Sequence, residues 1–332
     1  WQGPRGIAAD GGDAAARAAG EVLRAQVIAA QSPDVVHVGS VIEGFRDDVI
    51  SNWPRALARL PTVATCYDLI PMIRHADYID GPWRGTLANW YFAQVRELGQ
   101  ADALLAISDS SRREAIDHLG FAAADIADIR AGVAPSFRPV SPDSDAAAAL
   151  LTRHGLRSPF VLFVGAGDPR KNEAALLHAF ALLPPALRAR HQLAIVGHAD
   201  ADTLLASARQ LGLPADALVL LPFVEEAALP ALYSACALFV MPSLHEGFGL
   251  PAAEAMACGA PTIASNTTSL PEVVGRADAL FDPTNPADIA ACMQAVLADP
   301  ARQAVLRAHG LAQAAQFTWA NCAAAAWRAI KV

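Results

Sequence analysis

The sequence predicts an α/β protein built from two doubly wound parallel sheets, and three observations lead to this prediction. The chain has 332 residues, 54% of them hydrophobic and 17% charged, which is enough to form two packed domains. Short apolar runs alternate with longer Ala-rich segments of helical length, a pattern typical of strands buried on both faces of a parallel sheet. The alternation breaks once, at residues 135–145, where a run rich in Pro, Ser and Asp indicates a linker.

Each predicted strand is an unbroken apolar run bounded by Gly, Pro or Asp. Four are expected in the first half and five in the second: residues 34–38, 62–66, 102–107, 126–130, 160–164, 192–196, 218–221, 237–241 and 261–264. Helices are expected at residues 14–30, 83–100, 173–183 and 201–211, with an apolar closing helix at residues 317–327. The predicted domains are residues 1–140, 141–316 and 317–332.

Charge and cysteine usage exclude several classes of protein. The formal charge of -8 argues against a nucleic-acid partner bound through a broad basic face. Five cysteines without a CxxC pair indicate reduced thiols in a cytoplasmic protein, not a disulfide framework or a zinc site. No apolar run reaches the ~18 residues of a membrane span, and no signal peptide is recognised. The chain starts abruptly at Trp1 in a polar stretch, so we expect its natural N-terminus to be missing.

The segment GAGDPRKN, which starts at Gly165, follows a predicted strand directly and precedes a predicted helix. A dinucleotide fingerprint would need a third glycine where Arg170 stands, so that interpretation fails. A glycine turn at a helix N-terminus still binds anions through free backbone N–H groups. Arg170 and Lys171 would make it a diphosphate clamp, and Lys171 is one of only two lysines in the chain. The alternative, a solvated turn, stays equally open.

A second segment, HEGFGLPAAEAMACGAPTIAS, carries two carboxylates eight positions apart, Glu246 and Glu254. We expect Glu246 in a loop after a buried strand and Glu254 early in the helix that Pro251 starts. Because the loop reverses the chain, both carboxylates can face one ligand, with backbone amides near residues 248–250 directed at an anion. The alternative is that both are exposed or capping residues.

The run PSLHEGFGLPAAEAMACGAPTIAS with the later SLPEVVG resembles the E-x7-E signature region of glycosyltransferase family 4, retaining enzymes of the GT-B fold. GDPRKN is similar to the donor-phosphate loop of that family, and LPFVEEAALPALYSACALFVMPS is similar to the segment that leads into the signature. The resemblance implies two Rossmann-like domains, the first on the acceptor side and the second binding a nucleotide-sugar donor. It also implies that the C-terminal helix crosses back to the first domain, and that the first sheet lacks N-terminal strands, one of them central.

The resemblance assigns roles to individual residues. Glu254 would hold the ribose hydroxyls of the donor and Glu246 its sugar hydroxyls, while Arg170 and Lys171 would neutralise the diphosphate as it leaves. The remaining donor-binding residues would present backbone to the base, phosphates or sugar: Gly165, Val224, Phe248, Gly249 and Leu250. No cofactor is implied, because the nucleotide diphosphate sugar is a substrate.

The segment TCYDLIP closes a first-domain strand, and Tyr67 stands where many relatives carry a histidine. A general-base role at residue 67 is therefore doubtful, and Asp68 would position the reactants, unless it only caps the following turn. Ser108 and Arg112 would line the cleft, but a cap by Ser108 or Asp109 fits equally well. These motifs resemble a subgroup of bacterial surface-polysaccharide mannosyl- and rhamnosyltransferases.

The function implied is retaining transfer of a hexose, taken as mannose-like, to a glycan or lipid-linked glycan acceptor. We expect a cytoplasmic enzyme with peripheral association at the inner face of the plasma membrane. Two D-x-D triplets, at residues 143–145 and 200–202, follow no strand end, and we predict no metal site. The alternatives are a catalytically impaired sugar-nucleotide-binding or scaffold domain, and a phosphorylase, for which no cofactor-lysine context is present.

Overall fold

The computed structural model describes residues 5–51, 60–141, 145–165, 167–197, 201–221 and 223–331. The chain divides into two compact units, one formed by Trp1–Arg130 with Ala323–Val332 and the other by Ala131–Cys322. The first domain boundary was predicted after residue 140, ten residues beyond the observed one at Arg130. Residues 135–141 contain turns and no helix or strand, and the remainder of the predicted linker up to residue 144 lies outside the described residues.

The first unit contains a parallel sheet whose four described strands follow one another in chain order. The third strand, one of the two inner strands, is almost fully buried: Leu104, Leu105 and Ala106 are at most 1% exposed, as expected for a parallel sheet covered on both faces. All four predicted strands are confirmed, three of them shorter than expected. They are β1 Val36–Val38, β2 Thr62–Cys66, β3 Ala103–Ala106 and β4 Ile126–Asp128.

The helices of the first unit follow its strands as a parallel sheet requires. The long N-terminal helix is the one predicted at residues 14–30, and Asp13 caps it by accepting hydrogen bonds from two backbone N–H groups. The helix predicted at residues 83–100 is shorter, because Gly85 precedes it at positive φ and Gly99 ends it. The helices are α1 Ala14–Ala30, α2 Ile70–Ile73, α3 His75–Tyr78, α4 Thr86–Leu98 and α5 Asp109–Leu119.

The second unit contains a six-stranded parallel sheet with the order β10-β9-β8-β5-β6-β7. The chain builds β5, β6 and β7 in one direction and then returns to the other side of β5 to add β8, β9 and β10. The sheet therefore has a topological switch point between β5 and β8. Five strands were predicted, and the sixth was missed because it has only two residues. They are β5 Phe160–Val164, β6 Gln192–Val196, β7 Leu218–Leu221, β8 Leu238–Met241, β9 Thr262–Ser265 and β10 Leu280–Phe281.

Helices cover this sheet. Two of them begin with a side-chain cap: Asn285 and Asp299 each precede a proline and accept hydrogen bonds from backbone N–H groups of the next helix. No helix of the described residues is long and apolar enough to cross a membrane. The helices of this unit are α6 Asp145–Arg153, α7 Glu173–Leu182, α8 Pro185–Arg190, α9 Ala201–Gln210, α10 Leu229–Ala235, α11 Leu250–Ala257, α12 Leu270–Val274, α13 Pro286–Leu297 and α14 Pro300–Ala314. The last helix, α15 Trp319–Ile330, begins in the second unit, and its residues from Ala323 onward are grouped with the first.

Candidate functional site

The two loops that leave the switch point of the second sheet carry most of the predicted site. The loop after β5 contains Arg170 and Lys171, and the loop after β8 contains Glu246. Since β5 and β8 are parallel neighbours, both loops emerge from the same edge of the sheet. Ligands of open α/β sheets bind in the crevice at such a point.

A buried ion cluster joins the two loops. Glu246 accepts a hydrogen bond from Lys171 Nζ on one carboxylate oxygen at 2.8 Å and from Arg170 Nη1 on the other at 2.7 Å. The side chains of Glu246, Lys171 and Arg170 are only 7%, 11% and 19% exposed. Arg170 Nε also lies 3.3 Å from Asp168 Oδ2. The four formal charges cancel, so the site holds both cations of the predicted clamp in neutralised form.

The ion cluster keeps Glu246 ionised. Burial alone would raise the pKa of this carboxyl, but the ammonium of Lys171 and the guanidinium of Arg170 outweigh burial and hold the pKa below its ordinary value. A charged Glu246 is therefore present across the neutral and mildly acidic range.

The loop after β5 is shaped by Asp168 and Asn172. Asp168 accepts a hydrogen bond from the Arg170 backbone N–H at 3.0 Å and caps the short 3₁₀ turn Pro169–Lys171. Asn172 adopts a left-handed conformation with φ of 61°, which asparagine tolerates better than most residues. Its amide donates to the carbonyls of Pro242 and Pro283 at 3.0 and 2.8 Å. Asn172 thereby ties the cation loop to the glutamate loop.

The glutamate loop, residues 242–249 between β8 and α11, is held in place by hydroxyl groups at the end of β9 and directly after it. Thr268 Oγ1 accepts from the Glu246 backbone N–H at 3.0 Å, and Ser269 Oγ donates to the carbonyls of Glu246 and Phe248 at 3.0 and 2.8 Å. Ser265 Oγ donates to the Ser243 carbonyl at 2.6 Å. These supporting residues were not predicted from the sequence, although the hydroxyl-rich stretch SNTTS directly after a predicted buried strand was a signal.

The end of the glutamate loop requires glycine. Gly249 has φ of 95°, and a Cβ there would lie 2.6 Å from Leu270 Cδ2. Leu250 starts α11, with proline in the first turn and no side-chain cap. Phe248 is buried edge-to-face against Phe317, with ring centroids 5.3 Å apart. The predicted helix start at Pro251 is confirmed to within one residue.

Glu254 lies on α11 and has a different partner from Glu246. It accepts a hydrogen bond from the Tyr233 hydroxyl at 3.1 Å, a contact that the sequence analysis did not identify. Burial raises the pKa of Glu254, the Tyr233 hydrogen bond lowers it, and the nearby charge of Glu226 raises it. Elsewhere in this unit, Val224 is buried in the loop after β7, and Gly165 directly follows β5.

The remaining predicted residues belong to the first unit. Tyr67 is 52% exposed, and Asp68 accepts from the Ile70 backbone N–H at 3.1 Å, so its capping role is real. Ser108 is fully buried and caps α5, the alternative that the sequence left open. Arg112 donates to the carbonyls of Ile126 and Ala123 and thereby braces the chain before β4.

The described residues contain no group of three or more His, Cys, Asp or Glu side chains arranged to hold a metal ion. Two residues of the D-x-D triplets, Asp143 and Asp200, lie outside the part of the chain that the structure describes.

Two family models match this chain and cover its two halves in turn. Glycosyltransferase Family 4 matches residues 14–137, and Glycosyl transferases group 1 matches residues 152–313. The chain belongs to glycosyltransferase family 4. The resemblance identified from the residues around Glu246 and Glu254 is thereby confirmed, and the matched models account for both units.

Relatives of this family 4 chain include the serotype-specific mannosyltransferase WbdA of Escherichia coli, 38% identical over 322 residues. That match covers 96% of this chain and 39% of WbdA, so the chain spans about two fifths of that relative. The O-antigen chain mannosyltransferase B of Escherichia coli is 38% identical over 227 residues, which are 68% of this chain and 59% of that protein.

The fold matches solved structures as well. Alr3699/HepE from Anabaena in complex with UDP-glucose superimposes with a TM-score of 0.72 at 20% sequence identity, covering 94% of this chain and 82% of HepE. At that identity the match concerns the fold alone. The GT-B fold expected from the sequence is confirmed.

Proposed function

We propose that this chain is a retaining glycosyltransferase that moves a hexose, specifically mannose, from a nucleotide diphosphate sugar to a glycan or lipid-linked glycan in cell-surface polysaccharide synthesis. The observation that carries the proposal is the buried Arg170–Glu246–Lys171 cluster at the switch point of the second sheet. The names of the relatives, mannosyltransferases of O-antigen synthesis, support the sugar and the pathway class. The UDP-glucose bound by HepE supports a nucleotide-sugar donor.

The cluster supplies the chemistry of a departing diphosphate. We propose that the donor diphosphate takes the place of the Glu246 carboxylate on Arg170 Nη1 and Lys171 Nζ. The two cations then stabilise the negative charge that develops when the bond between the anomeric carbon and the phosphate oxygen breaks. Two buried cations supply this stabilisation without a divalent metal, so chelators should leave the transfer rate unchanged.

The carboxylates of Glu246 and Glu254 then bind hydroxyl groups of the donor. Once exchanged off the cations, Glu246 accepts hydrogen bonds from sugar hydroxyls near the reacting centre. Glu254, oriented by Tyr233 through one carboxylate oxygen, accepts the ribose hydroxyls. Val224 presents backbone to the base, while the chain around Gly165 and Phe248–Leu250 presents amides to the phosphates.

Retention follows if the new bond forms on the face that the diphosphate leaves. The acceptor hydroxyl attacks the anomeric carbon on that face, and its proton passes to the departing phosphate oxygen. In this scheme no protein base is required at Tyr67, and Asp68 positions the reactants. A cytoplasmic location with peripheral membrane association is part of the proposal, supported by five cysteines that are all free thiols.

A transfer assay tests the proposed function. The chain is incubated with GDP-mannose, UDP-glucose, ADP-glucose or dTDP-rhamnose and a fluorescent mannose-terminated oligosaccharide, with and without EDTA. We expect GDP-mannose to give a product one sugar larger, with the anomeric configuration of the donor retained by NMR, and no loss of rate in EDTA; product from another donor alone would refute mannose as the sugar. Donor binding without product from any acceptor would favour the sugar-nucleotide-binding domain instead. An inverted product would refute retention, and restoration by manganese after EDTA would refute the metal-free clamp.

A further inference from the structure

Thr268 has a backbone conformation that threonine rarely adopts. Its φ is 51°, in the left-handed region, and among the described residues it is the single β-branched one with positive φ. The other described non-glycine residues with positive φ are Ser32, Arg130 and Asn172. A branched Cβ crowds the backbone in this region, so Thr268 is strained. Strain of this kind persists only where the surroundings hold it, and it concentrates at functional sites.

The strained residue lies directly against the backbone of Glu246. Thr268 belongs to the short turn, residues 266–269, that joins β9 to α12. Its Oγ1 accepts a hydrogen bond from the Glu246 backbone N–H at 3.0 Å, and the Oγ of the next residue, Ser269, donates to the Glu246 carbonyl at 3.0 Å. Both backbone polar groups of Glu246 are therefore bound by hydroxyl groups of one turn.

The left-handed conformation allows three consecutive hydroxyl groups to reach the glutamate loop. Thr267 Oγ1 donates to the Leu244 carbonyl at 3.3 Å, and the hydroxyl groups of Thr268 and Ser269 follow. Neighbouring side chains point to opposite faces of a strand and lie about 100° apart around a helix, so neither element directs three successive side chains at one loop. The strained φ and the hydrogen bond to Glu246 therefore belong to the same structural feature.

A glycine at this position would adopt the same φ without strain, but it would bring no hydroxyl group. The N–H of the buried Glu246 would then lose its acceptor, which loosens the backbone at this residue. The Glu246 carboxylate lies 2.8 Å from Lys171 Nζ and 2.7 Å from Arg170 Nη1, so a small shift of the Glu246 backbone changes both distances. Threonine therefore supplies a fixed Glu246, which glycine would not supply.

We propose that Thr268 is a positioning residue for sugar transfer: its hydroxyl group fixes the backbone of Glu246, and thereby the carboxylate, at the cost of a strained turn. This inference rests on the proposed function, in which Glu246 is first the counter-ion of the two cations and then binds hydroxyl groups of the donor sugar. A carboxylate on a loosened backbone holds the cations less firmly and meets the sugar less often in the reactive geometry. Thr268 thus favours turnover over stability.

Three substitutions of Thr268 separate the contribution of the hydroxyl group from that of the strain. Thr268→Ser keeps the hydroxyl group without the branched Cβ, Thr268→Val keeps the branched Cβ without the hydroxyl group, and Thr268→Gly removes both. Ser32→Gly is the matched control, because Ser32 is an exposed residue of the first unit, just after α1, and has φ of 46°. It relieves left-handed strain at a position outside the donor site.

Steady-state transfer kinetics, calorimetric titration with pyrophosphate and melting temperature are measured for each variant. We expect kcat to fall at least about tenfold in Thr268→Val and Thr268→Gly, with the KM for the donor not raised, because both cations stay in place. Pyrophosphate should bind these two variants about three- to tenfold more tightly, since a loosened Glu246 competes less well for the cations. Thr268→Ser should match wild type in both measurements, as should Ser32→Gly. Thr268→Gly should melt at a higher temperature than Thr268→Val, because only valine keeps the strain.

Wild-type kcat and pyrophosphate affinity in Thr268→Gly would overturn the inference, as would a Thr268→Ser variant as impaired as Thr268→Val. A kcat that falls only in step with the melting temperature across the three variants would also overturn it, because Thr268 would then have a structural role alone. Failure of the proposed function has a different signature: wild type transfers sugar from no donor, whereas the pyrophosphate affinities still follow the expected pattern. Because the pyrophosphate titration requires no transfer, it decides in either case whether Thr268 fixes Glu246.

Discussion

Replacing Glu246 by glutamine tests whether this carboxylate and the donor diphosphate compete for the same two cations. The carboxylate occupies Lys171 Nζ and Arg170 Nη1 at 2.8 and 2.7 Å in a largely buried setting. A diphosphate that binds there must displace a negative group of similar hydrogen-bonding power. Glutamine keeps the size of the side chain and one acceptor oxygen, but removes the charge. We therefore expect Glu246→Gln to lower stability, raise diphosphate affinity and lower turnover together.

The magnitudes follow from the geometry. Leaving a buried charge without its partner costs ~3–5 kcal/mol, but Arg170 keeps Asp168 and glutamine keeps one acceptor, so the expected loss of unfolding free energy is about 2–3 kcal/mol. Repulsion between a carboxylate and a phosphate charge at ~5 Å and an effective dielectric of ~20 is worth ~3 kcal/mol. Allowing for the displaced side chain to move away, pyrophosphate should bind about tenfold to a hundredfold more tightly.

The pH dependence has a defined sign. Because the cations hold the pKa of Glu246 below its ordinary value, the stability contributed by the cluster is complete above the unfolded-state pKa of ~4.3. It is lost as pH falls through the lower folded-state pKa. The stability difference between wild type and Glu246→Gln should therefore be constant from neutral pH down to about pH 5 and shrink at lower pH.

Chemical denaturation and calorimetric titration with pyrophosphate measure these effects. Asp216→Asn is the matched control, since it removes the same charge from an exposed pair with Arg157, whose side chains are 60% and 64% exposed. The exposed pair of Arg157 and Asp216 should contribute less than about 1 kcal/mol to the free energy of unfolding. Competition between Glu246 and the diphosphate is refuted if pyrophosphate binds Glu246→Gln no more tightly than wild type, or if Asp216→Asn raises the affinity for pyrophosphate equally.

Three further substitutions test separate parts of the proposed donor site. Lys171→Ala should weaken nucleotide diphosphate binding tenfold or more, because the lost charged hydrogen bond is worth ~1.5–3 kcal/mol, and should leave the affinity for free nucleoside unchanged. Equal losses of affinity for both ligands, measured by calorimetry, would show that Lys171 does not contact the phosphates. Burial raises the pKa of Glu254, so ionisation of this carboxyl lowers the stability of the folded protein as pH rises through that pKa. Glu254→Gln should therefore melt at no lower temperature than wild type at pH 7, yet bind nucleoside more weakly. Unchanged nucleoside affinity would contradict the proposed contact of Glu254 with the ribose. Gly249→Ala should lower the unfolding free energy by more than the ~1–2 kcal/mol cost of left-handed backbone strain, because the new Cβ also clashes with Leu270. Gly212→Ala is the control: its φ is also positive, but its Cβ would meet no atom within 4 Å, so only the strain lowers its stability. Equal decreases in melting temperature would contradict the clash at Gly249.

The strands and the signature loops were predictable because their determinants are local. A buried parallel strand is an unbroken apolar run with Gly, Pro or Asp at its ends, and nine such runs coincide with strands of the structure. The two residues of β10 carry no period, so no pattern can distinguish them from a loop. Several short helices, such as α2 and α12, were unpredicted for the same reason.

The contacts of the site were less predictable, because they join residues far apart in sequence. Lys171 and Glu246 lie on loops that are separated in the chain by β6, β7 and β8. They become neighbours only because β8 pairs with β5. Tyr233 has no sequence feature that marks it as the partner of Glu254. Local patterns identified which residues carry chemistry, whereas tertiary topology decides which of them are neighbours.

The ion cluster changes how an acidic protein should be expected to bind a diphosphate. The sequence suggested that Arg170 and Lys171 form a positive site within a chain of net charge -8. A buried pair of uncompensated cations would be costly while the donor is absent, since each charge loses its hydration. Glu246 removes that cost by serving as the counter-ion. Under the proposed function, the incoming diphosphate would exchange one anion for another instead of entering an empty positive pocket. In the proposed mechanism, the same exchange frees the carboxylate only when the donor is bound, so Glu246 would become available to sugar hydroxyls when the donor sugar is present.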